Sequence, residues 1–322
     1  MADLTVTLPA YFGLKGLKAK KERGYFVVVT PDGPVKIHKT SVGTAEIMRQ
    51  FNLLKKLKHA GFPHTDYIIE TPGGAPQLIL GRDIFIMSRF IPGREIDFNE
   101  PADIKLALEC LASFHKKSIG LGENKTQPLP LTEAYAKQSG LLSAAVKQVN
   151  KSPRMSDFDI LLIKAAPKYA QFAGNAEAAL AETNYLQLFT AAVNRGDICH
   201  NTLKEENFPI YNGTCHLINF SDVTVDIQLN DLAGFIRRYA RRSNREIFVS
   251  RLLEIYNQIN PLPPQAEKII YALLLYPWPF MKTITGYYSK KRVFTPAAVT
   301  SRMDEILAEQ DEYNKYINSI FV

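Results

Sequence analysis

Strand-like and helix-like patterns of apolar residues divide the chain near residue 90. An apolar run at Tyr25–Thr30 leads through the turn signal Pro31–Gly33 into an alternating segment at Val35–Lys39. Alternation with a period of two is typical of a half-buried strand, and proline with glycine favours a reversal between two strands. The start of the chain therefore predicts a β-hairpin.

A helix and further strands follow this hairpin. At Ala45–Ala60 apolar residues recur every three or four positions, the spacing of one helix face. Strand-like segments return at Tyr67–Thr71, Gln77–Leu80 and Asp83–Phe90, and the turn Pro72–Gly74 separates the first two. We expect a second hairpin there, and so a small sheet carrying one helix.

Helical spacing dominates after the break at Ile91–Gly93. A proline at the first helical position opens the segment Pro101–His115, and amphipathic segments fill Leu131–Leu188. The sequence therefore predicts an α+β fold. We expect a strand-rich N-lobe over residues 1–91 and a mainly helical C-lobe over residues 92–322.

Composition is that of an ordinary soluble protein. Of 322 residues, 46% are hydrophobic and 22% are charged. No apolar run approaches the roughly 20 residues of a membrane-spanning helix, so we expect no transmembrane segment. The start of the chain lacks the basic and apolar regions of a secretory signal, and three cysteines without a scaffold spacing favour a reducing, intracellular origin.

The chain carries a net charge of +7. Basic residues cluster at Lys15–Arg23, Arg237–Arg245 and Lys290–Arg292. The arginines of the middle cluster recur at helical spacing, which predicts a solvated helix face suited to an acidic partner. No aromatic ladder, zinc finger or RNA-binding motif accompanies these clusters, so we expect no nucleic-acid partner.

The segment 194–222 breaks the helical pattern with a recognisable loop and hairpin. His200–Asn207 reads HNTLKEEN, which has the spacing H-x-D-x-x-x-x-N except for threonine at the aspartate position. Two short strand patterns follow at Phe208–Tyr211 and Thr214–Phe220. Asn212-Gly213 between them favours a tight turn, because both residues tolerate positive φ. A helix then opens near Asp231.

These segments together resemble the spore-coat CotS family, in the aminoglycoside and choline phosphotransferase branch of the protein-kinase-like superfamily. The resemblance rests on Ile91–Phe98 (IPGREIDF), on Leu106–His115 and on the run CHNTLKEENF with its following hairpin. It implies a two-lobed kinase-like fold. It also implies a protein made in the cytoplasm of a sporulating cell and deposited in the spore coat, with other coat proteins as partners.

The resemblance assigns roles to residues of the loop. The base that accepts a proton from the substrate hydroxyl maps onto Thr202, which is no base at neutral pH, while His200 and the metal ligand Asn207 are kept. A competing register places the base at Asp197. We favour the first register because it keeps two motif residues rather than one, and both remain open.

The remaining roles fall on the second metal position and on the N-lobe strand. The metal-binding aspartate maps onto Asn219, an uncharged amide that suits Mg²⁺ poorly, and strand alternation points the nearby Asp222 away. The phosphate-binding lysine maps onto Lys36, although the hairpin spacing also allows His38. Its helical partner maps onto Glu46, or the position is Gln50.

The losses favour a pseudokinase that acts as a structural or interaction component of the coat. The alternative is an active or residual ATP-dependent small-molecule phosphotransferase, with Asp197 as base. A nucleotide-binding switch without turnover lies between the two. ATP and Mg²⁺ are the cofactors that the resemblance implies for an active site, and the sequence establishes neither.

Two Cys-His pairs on neighbouring segments suggest a zinc site as a further hypothesis. They are Cys199-His200 and Cys215-His216. Adjacent residues of a strand point in opposite directions, so all four side chains could not easily converge on one tetrahedral ion. Buried core cysteines are the simpler interpretation.

Overall fold

The computed structural model describes residues 6–22, 24–123, 128–288 and 295–318. The chain forms two compact units. The first unit comprises Met1–Glu123, His200–Thr224 and Ile255–Asn260, and the second comprises Asn124–Cys199, Val225–Glu254 and Pro261–Val322. The segment with the HNTLKEEN motif thus belongs mainly to the same unit as the N-terminal sheet. The predicted lobe boundary near residue 91 stays a prediction.

An antiparallel sheet of five strands forms the centre of the first unit, in the order β1-β2-β3-β5-β4. Its strands are β1 (Lys18–Lys21), β2 (Phe26–Thr30), β3 (Gly33–Thr40), β4 (Leu78–Leu80) and β5 (Asp83–Arg89). The sequence pattern predicted the β2–β3 hairpin and missed β1, whose lysine-rich sequence lacks an apolar face.

One face of the sheet packs against the start of the chain. Val28 lies opposite Val35, and Ile37 lies opposite Met87, so alternation places these four side chains on one face. A 3₁₀ helix at Leu8–Phe12 covers them. The N-terminal segment therefore completes the core of this sheet, and it leaves the opposite face, which carries Lys36, for other contacts.

The segment Tyr67–Thr71 corrects the predicted second hairpin. Its backbone pairs with β5, through Ile69 N–H to the Met87 carbonyl (2.8 Å) and Arg89 N–H to the Tyr67 carbonyl (2.9 Å), rather than with Gln77–Leu80. Prolines at 72 and 76 lack N–H donors and disfavour a regular ladder between the two segments. The segment therefore lies along β5 as an irregular edge.

Ten α-helices follow the N-terminal 3₁₀ helix in the part of the chain that the structure describes. They are α1 (Thr44–His59), α2 (Pro101–Ser118), α3 (Leu131–Asn150), α4 (Asp157–Ala181), α5 (Tyr185–Arg195), α6 (Leu229–Arg242), α7 (Val249–Asn257), α8 (Ala266–Leu275), α9 (Trp278–Tyr288) and α10 (Pro296–Asn318). The α1 and α2 bounds agree closely with the predicted segments. The sheet in the first part and the helical remainder give the predicted α+β class.

Short strands and 3₁₀ turns make up the segment after α5. The strands are β6 (Ile198–Cys199), β7 (Ile210–Tyr211), β8 (Thr214–Cys215) and β9 (Thr224–Val225). Asn212 and Gly213 join β7 to β8 with φ values of 50° and 75°, as the turn prediction required. The described helices include none long and apolar enough to cross a membrane.

The arginines of α6 contradict the predicted solvated face. Arg237 donates to the Leu273 carbonyl at 2.5 Å, and Arg241 donates to Gln310 at 3.0 Å and lies 4.4 Å from the centre of the Tyr313 ring. Helical spacing alone cannot distinguish a face covered by another helix from a face in water. In the other two basic clusters, Arg23 and the stretch Lys290–Arg292 lie outside the described residues.

We predict that Arg241→Ala lowers the free energy of unfolding by about 2 kcal/mol, because it removes a guanidinium that satisfies the buried amide of Gln310 and stacks on an aromatic ring. Its exposed neighbour provides the control: Arg242→Ala should change stability by less than about 0.5 kcal/mol. Urea titration of both variants checks this. Equal effects would mean that the α6–α10 contact does not depend on Arg241.

Candidate functional site

The lysine of β3 meets the asparagine at the predicted second metal position. Lys36 Nζ donates to Asn219 Oδ1 at 3.4 Å, although the two residues are 183 positions apart in the sequence. Both belong to the first unit. The predicted phosphate position and the predicted metal position are therefore adjacent.

A second amide continues this contact into a chain of hydrogen bonds. Asn219 Nδ2 donates to Asn207 Oδ1 at 2.6 Å, and Asn207 Nδ2 donates to the Thr202 carbonyl at 2.6 Å. The ammonium requires an oxygen on Asn219, and the Thr202 carbonyl requires a nitrogen on Asn207. One orientation of the two amides thus satisfies every contact. We call Lys36, Asn219, Asn207 and the Thr202 carbonyl the amide relay.

Local backbone structure holds the two amides in place. Asn219 adopts a left-handed conformation (φ 67°, ψ 67°), which asparagine tolerates better than most residues. Asn207 ends the 3₁₀ turn Glu205–Asn207, is only 1% exposed, and its carbonyl accepts from Ile218 N–H at 3.1 Å. The relay is therefore built on two fixed backbone turns.

His200 anchors the same loop. Its Nε2 atom lies 2.9 Å from the Ile218 carbonyl, and its ring packs edge-on against Phe220 at 5.0 Å. The side chain is fully buried. These contacts give His200 a positioning role between the loop and the segment that carries Asn219.

The threonine at the base position is bonded to Asp222. Thr202 Oγ1 donates to Asp222 Oδ2 at 2.7 Å, and Asn201 Nδ2 donates to the Asp222 carbonyl at 2.9 Å. Asp222 lies in the 3₁₀ turn Phe220–Asp222 rather than in a strand, so the alternation argument for its direction does not apply. Its carboxylate faces Thr202, and the relay is built without it.

Asp197, the base of the competing register, has a carboxylate that is already paired. Arg195 donates to both carboxylate oxygens of Asp197, at 2.8 and 2.6 Å. The Asp197 side chain is 4% exposed. The residue belongs to the second unit, where its carbonyl also accepts from Asp226 N–H at 3.0 Å. The role of Asp197 as a base stays a prediction. Its contacts to Arg195 and Asp226 give it a structural role.

Of the two candidates on β3, Lys36 reaches the relay. His38 shares its strand face, but burial and the nearby Lys36 charge lower the pKa of His38 to about 4, and its Nδ1 atom has no hydrogen-bond partner among the described residues. A neutral imidazole cannot replace an ammonium in holding phosphate. Glu46 is bonded by Arg49 of the same helix, one turn along, and Gln50 lies beside it on α1.

Asp66 belongs to the site although no motif marked it. Its Oδ1 atom accepts from Asn219 N–H at 3.3 Å and from the Thr65 hydroxyl at 3.4 Å. Burial raises the pKa of Asp66 to about 6, and the charge of Lys36 opposes this rise. Asp66 therefore places a carboxylate beside the Asn219 backbone, where the charge of Lys36 also acts on it.

The donor set does not fit Mg²⁺ at the two predicted metal positions. Mg²⁺ prefers anionic oxygens in octahedral geometry. The amide oxygens of Asn207 and Asn219 each accept a hydrogen bond within the relay, and neither carries charge. The described residues contain no group of three or more His, Cys, Asp or Glu side chains placed to hold a metal ion.

The zinc hypothesis gains no support from the cysteines. Cys199 is buried and donates to the Ile227 carbonyl at 3.3 Å, and burial raises the pKa of its thiol. Cys215 is buried in the first unit. Both behave as core residues, which is the simpler interpretation that the sequence allowed.

A family model and a curated relative match the chain. The family described as "Spore coat putative kinase YutH" matches residues 21–320. The endospore coat-associated protein YutH of Bacillus subtilis strain 168 is 25% identical over 228 residues. That alignment covers 65% of this chain and spans 62% of the length of the relative.

Solved phosphotransferases share the fold. An aminoglycoside phosphotransferase from Alicyclobacillus acidocaldarius superposes with a TM-score of 0.79 at 15% identity, covering 95% of this chain and 91% of the other. Spectinomycin phosphotransferase, solved with ADP and spectinomycin, gives a TM-score of 0.63 at 12% identity, covering 100% and 95%. The two-lobed kinase-like fold is thereby established, and identities this low carry nothing about activity.

We predict that Asp66→Asn stabilises the protein at pH 7.5 by about 1–3 kcal/mol and changes it little at pH 4. The folded state holds the Asp66 proton with a pKa of about 6 against an ordinary value of 3.8. Its contribution to stability is therefore fully present below pH 3.8 and is lost as the pH rises through 6. Asparagine resembles the protonated acid at every pH.

Urea unfolding of wild type and Asp66→Asn between pH 4 and pH 8 measures this difference. The exposed Asp32 provides the control, and Asp32→Asn should show no such pH-dependent gain. A difference between wild type and Asp66→Asn that stays constant across this range would contradict the assigned pKa.

Proposed function

The chain belongs to the YutH family of spore-coat kinase-like proteins, and we propose that it serves the coat as a pseudokinase, through contacts with other coat components rather than by phosphoryl transfer. The premise is the family match over residues 21–320. The proposal concerns what this member does with the fold.

The amide relay is the observation that carries the proposal. Phosphoryl transfer depends on metal ions that bridge the phosphates and on a cation that neutralises their charge. Here the residues at the two predicted metal positions are amides bonded to each other, and the lysine is bonded to one of them. Binding Mg-ATP in the usual manner would require breaking these bonds without gaining an anionic ligand from Asn207 or Asn219.

The loss of the base supports the same conclusion. General base catalysis contributes typically 10² to 10⁴ in rate, and removing one preorganised electrostatic group costs on the order of 10² to 10³. Thr202 cannot accept a proton at neutral pH, and its hydroxyl donates a hydrogen bond to the Asp222 carboxylate. The paired carboxylate of Asp197 gives no specific support to the alternative of an active phosphotransferase.

The coat is the proposed location, with coat proteins as the proposed partners. The relative from B. subtilis is described as endospore coat-associated. An acidic partner at Arg237–Arg245 is the weaker part of this proposal, because Arg237 and Arg241 are engaged inside the second unit. The exposed Arg242 remains as the accessible charge of that cluster.

We predict that ATP with Mg²⁺ produces no magnesium-dependent change in the melting temperature of the wild type. A ligand at 100 times its dissociation constant stabilises a fold by about 2.7 kcal/mol, so a thermal-shift titration with and without Mg²⁺ would reveal binding. A magnesium-dependent shift, together with consumption of ATP, would refute the pseudokinase proposal. A shift without magnesium dependence would favour a nucleotide-binding switch.

We also predict that Thr202→Asp combined with Asn219→Asp restores magnesium-dependent nucleotide binding. Aspartate at 219 removes the donor that bonds Asn207, so that the Asn207 oxygen is released and a carboxylate is added beside Lys36. Calorimetry with Mg-ATP measures the gain. Asn99→Asp, an exposed change of the same chemistry, is the control, and no gain in the double variant would mean that these roles are assigned wrongly.

A further inference from the structure

The Lys36 ammonium contacts an aromatic ring as well as the relay. Its Nζ atom lies 4.9 Å from the centre of the Tyr25 ring and 3.4 Å from Asn219 Oδ1. The face of an aromatic ring attracts a cation at such a distance. Two uncharged groups of the same unit therefore contact one ammonium, whose charge also acts on the Asp66 carboxyl.

The register of the sheet explains why Tyr25 reaches Lys36. Val27 of β2 lies directly opposite Lys36 of β3. Side chains alternate along a strand, so Tyr25 projects to the same face as Val27 and is the diagonal neighbour of Lys36. Diagonal neighbours are within reach when one side chain is long and the other aromatic.

The turn before β2 and the end of β5 brace the tyrosine. Glu22 N–H donates to the Tyr25 carbonyl at 2.9 Å, and Gly24 adopts a φ of 79°, which reverses the chain just before the ring. The ring also packs at 6.4 Å from Phe90, with an interplanar angle of 41°. Tyr25 is half-buried in this position. The ring is thus held over the lysine by its own backbone turn.

We propose that Tyr25 acts as an intramolecular plug, whose ring holds the Lys36 side chain in the relay and keeps phosphate-bearing anions from it. Such an anion must displace the ring to gain the ammonium as a partner. This proposal rests on the proposed function, since it explains how Lys36 is occupied without a nucleotide. It adds a residue to which the family resemblance assigns no role.

Inorganic tripolyphosphate in the presence of EDTA is the probe, because it presents phosphate charge without metal or base. Calorimetry at pH 7.5 compares wild type, Tyr25→Phe and Tyr25→Ala. Phenylalanine keeps the ring face, so Tyr25→Phe should match the wild type. Tyr25→Ala should bind tripolyphosphate about 2- to 30-fold more tightly, the factor equivalent to one cation–π contact. Adding Lys36→Ala to Tyr25→Ala should abolish the gain.

A second variant keeps the test sound if the alanine variant folds poorly. Tyr25→Leu retains an apolar side chain against Phe90 but has no ring face, and it should show the same gain. Unchanged affinity in both Tyr25→Ala and Tyr25→Leu would overturn the plug. An equal gain in Tyr25→Phe would also overturn it, because the ring would then not be the group that blocks Lys36.

The plug and the proposed function can fail separately. Magnesium-dependent phosphoryl transfer by the wild type would refute the pseudokinase proposal. The plug is judged only by the metal-free tripolyphosphate titrations of the Tyr25 variants. A gain in Tyr25→Ala that survives the added Lys36→Ala would locate the anion elsewhere, and it would overturn the plug without touching the pseudokinase proposal.

Discussion

The amide–amide hydrogen bond between Asn219 and Asn207 is the contact on which the chemistry of this site depends. A buried polar group is costly unless it is bonded. Two carboxylate or carbonyl oxygens at these positions would need a cation between them, whereas an amide nitrogen facing an amide oxygen needs none. Because residue 219 is an asparagine, its Nδ2 atom donates to Asn207 Oδ1 at 2.6 Å, and the two amides satisfy each other. The consequence is a closed site that offers a metal ion no anionic ligand from these two residues.

The surrounding structure is that of the phosphotransferase fold, and it is kept for reasons of packing. The His200 contact to the Ile218 carbonyl and the left-handed Asn219 hold the loop and the following turn together. Lys36 projects from β3, where it meets an amide and a ring. The fold alone therefore does not specify the polar groups of this site, since function resides in the site rather than in the fold.

The fold and the hairpin followed from local patterns, whereas the partners within the site did not. Asn212-Gly213 specified its turn by backbone preference alone. A period of two could not choose between Lys36 and His38, since both share a face.

Asp66 was missed because its role arises from a contact to Asn219, 153 residues away. Alternation could not determine the direction of Asp222, because this residue lies in a 3₁₀ turn that follows the left-handed Asn219 rather than in a strand. The α6 arginines were misjudged because helical spacing is the same for a covered face and a solvated one.

The most direct measurement is a crystal structure grown with a non-hydrolysable ATP analogue and Mn²⁺, whose anomalous scattering locates the metal. The closed relay predicts that Asn219 Nδ2 remains bonded to Asn207 Oδ1, with no anomalous peak between the two side chains. A manganese ion coordinated by the oxygens of both asparagines would contradict this account. It would support the alternative of an active phosphotransferase.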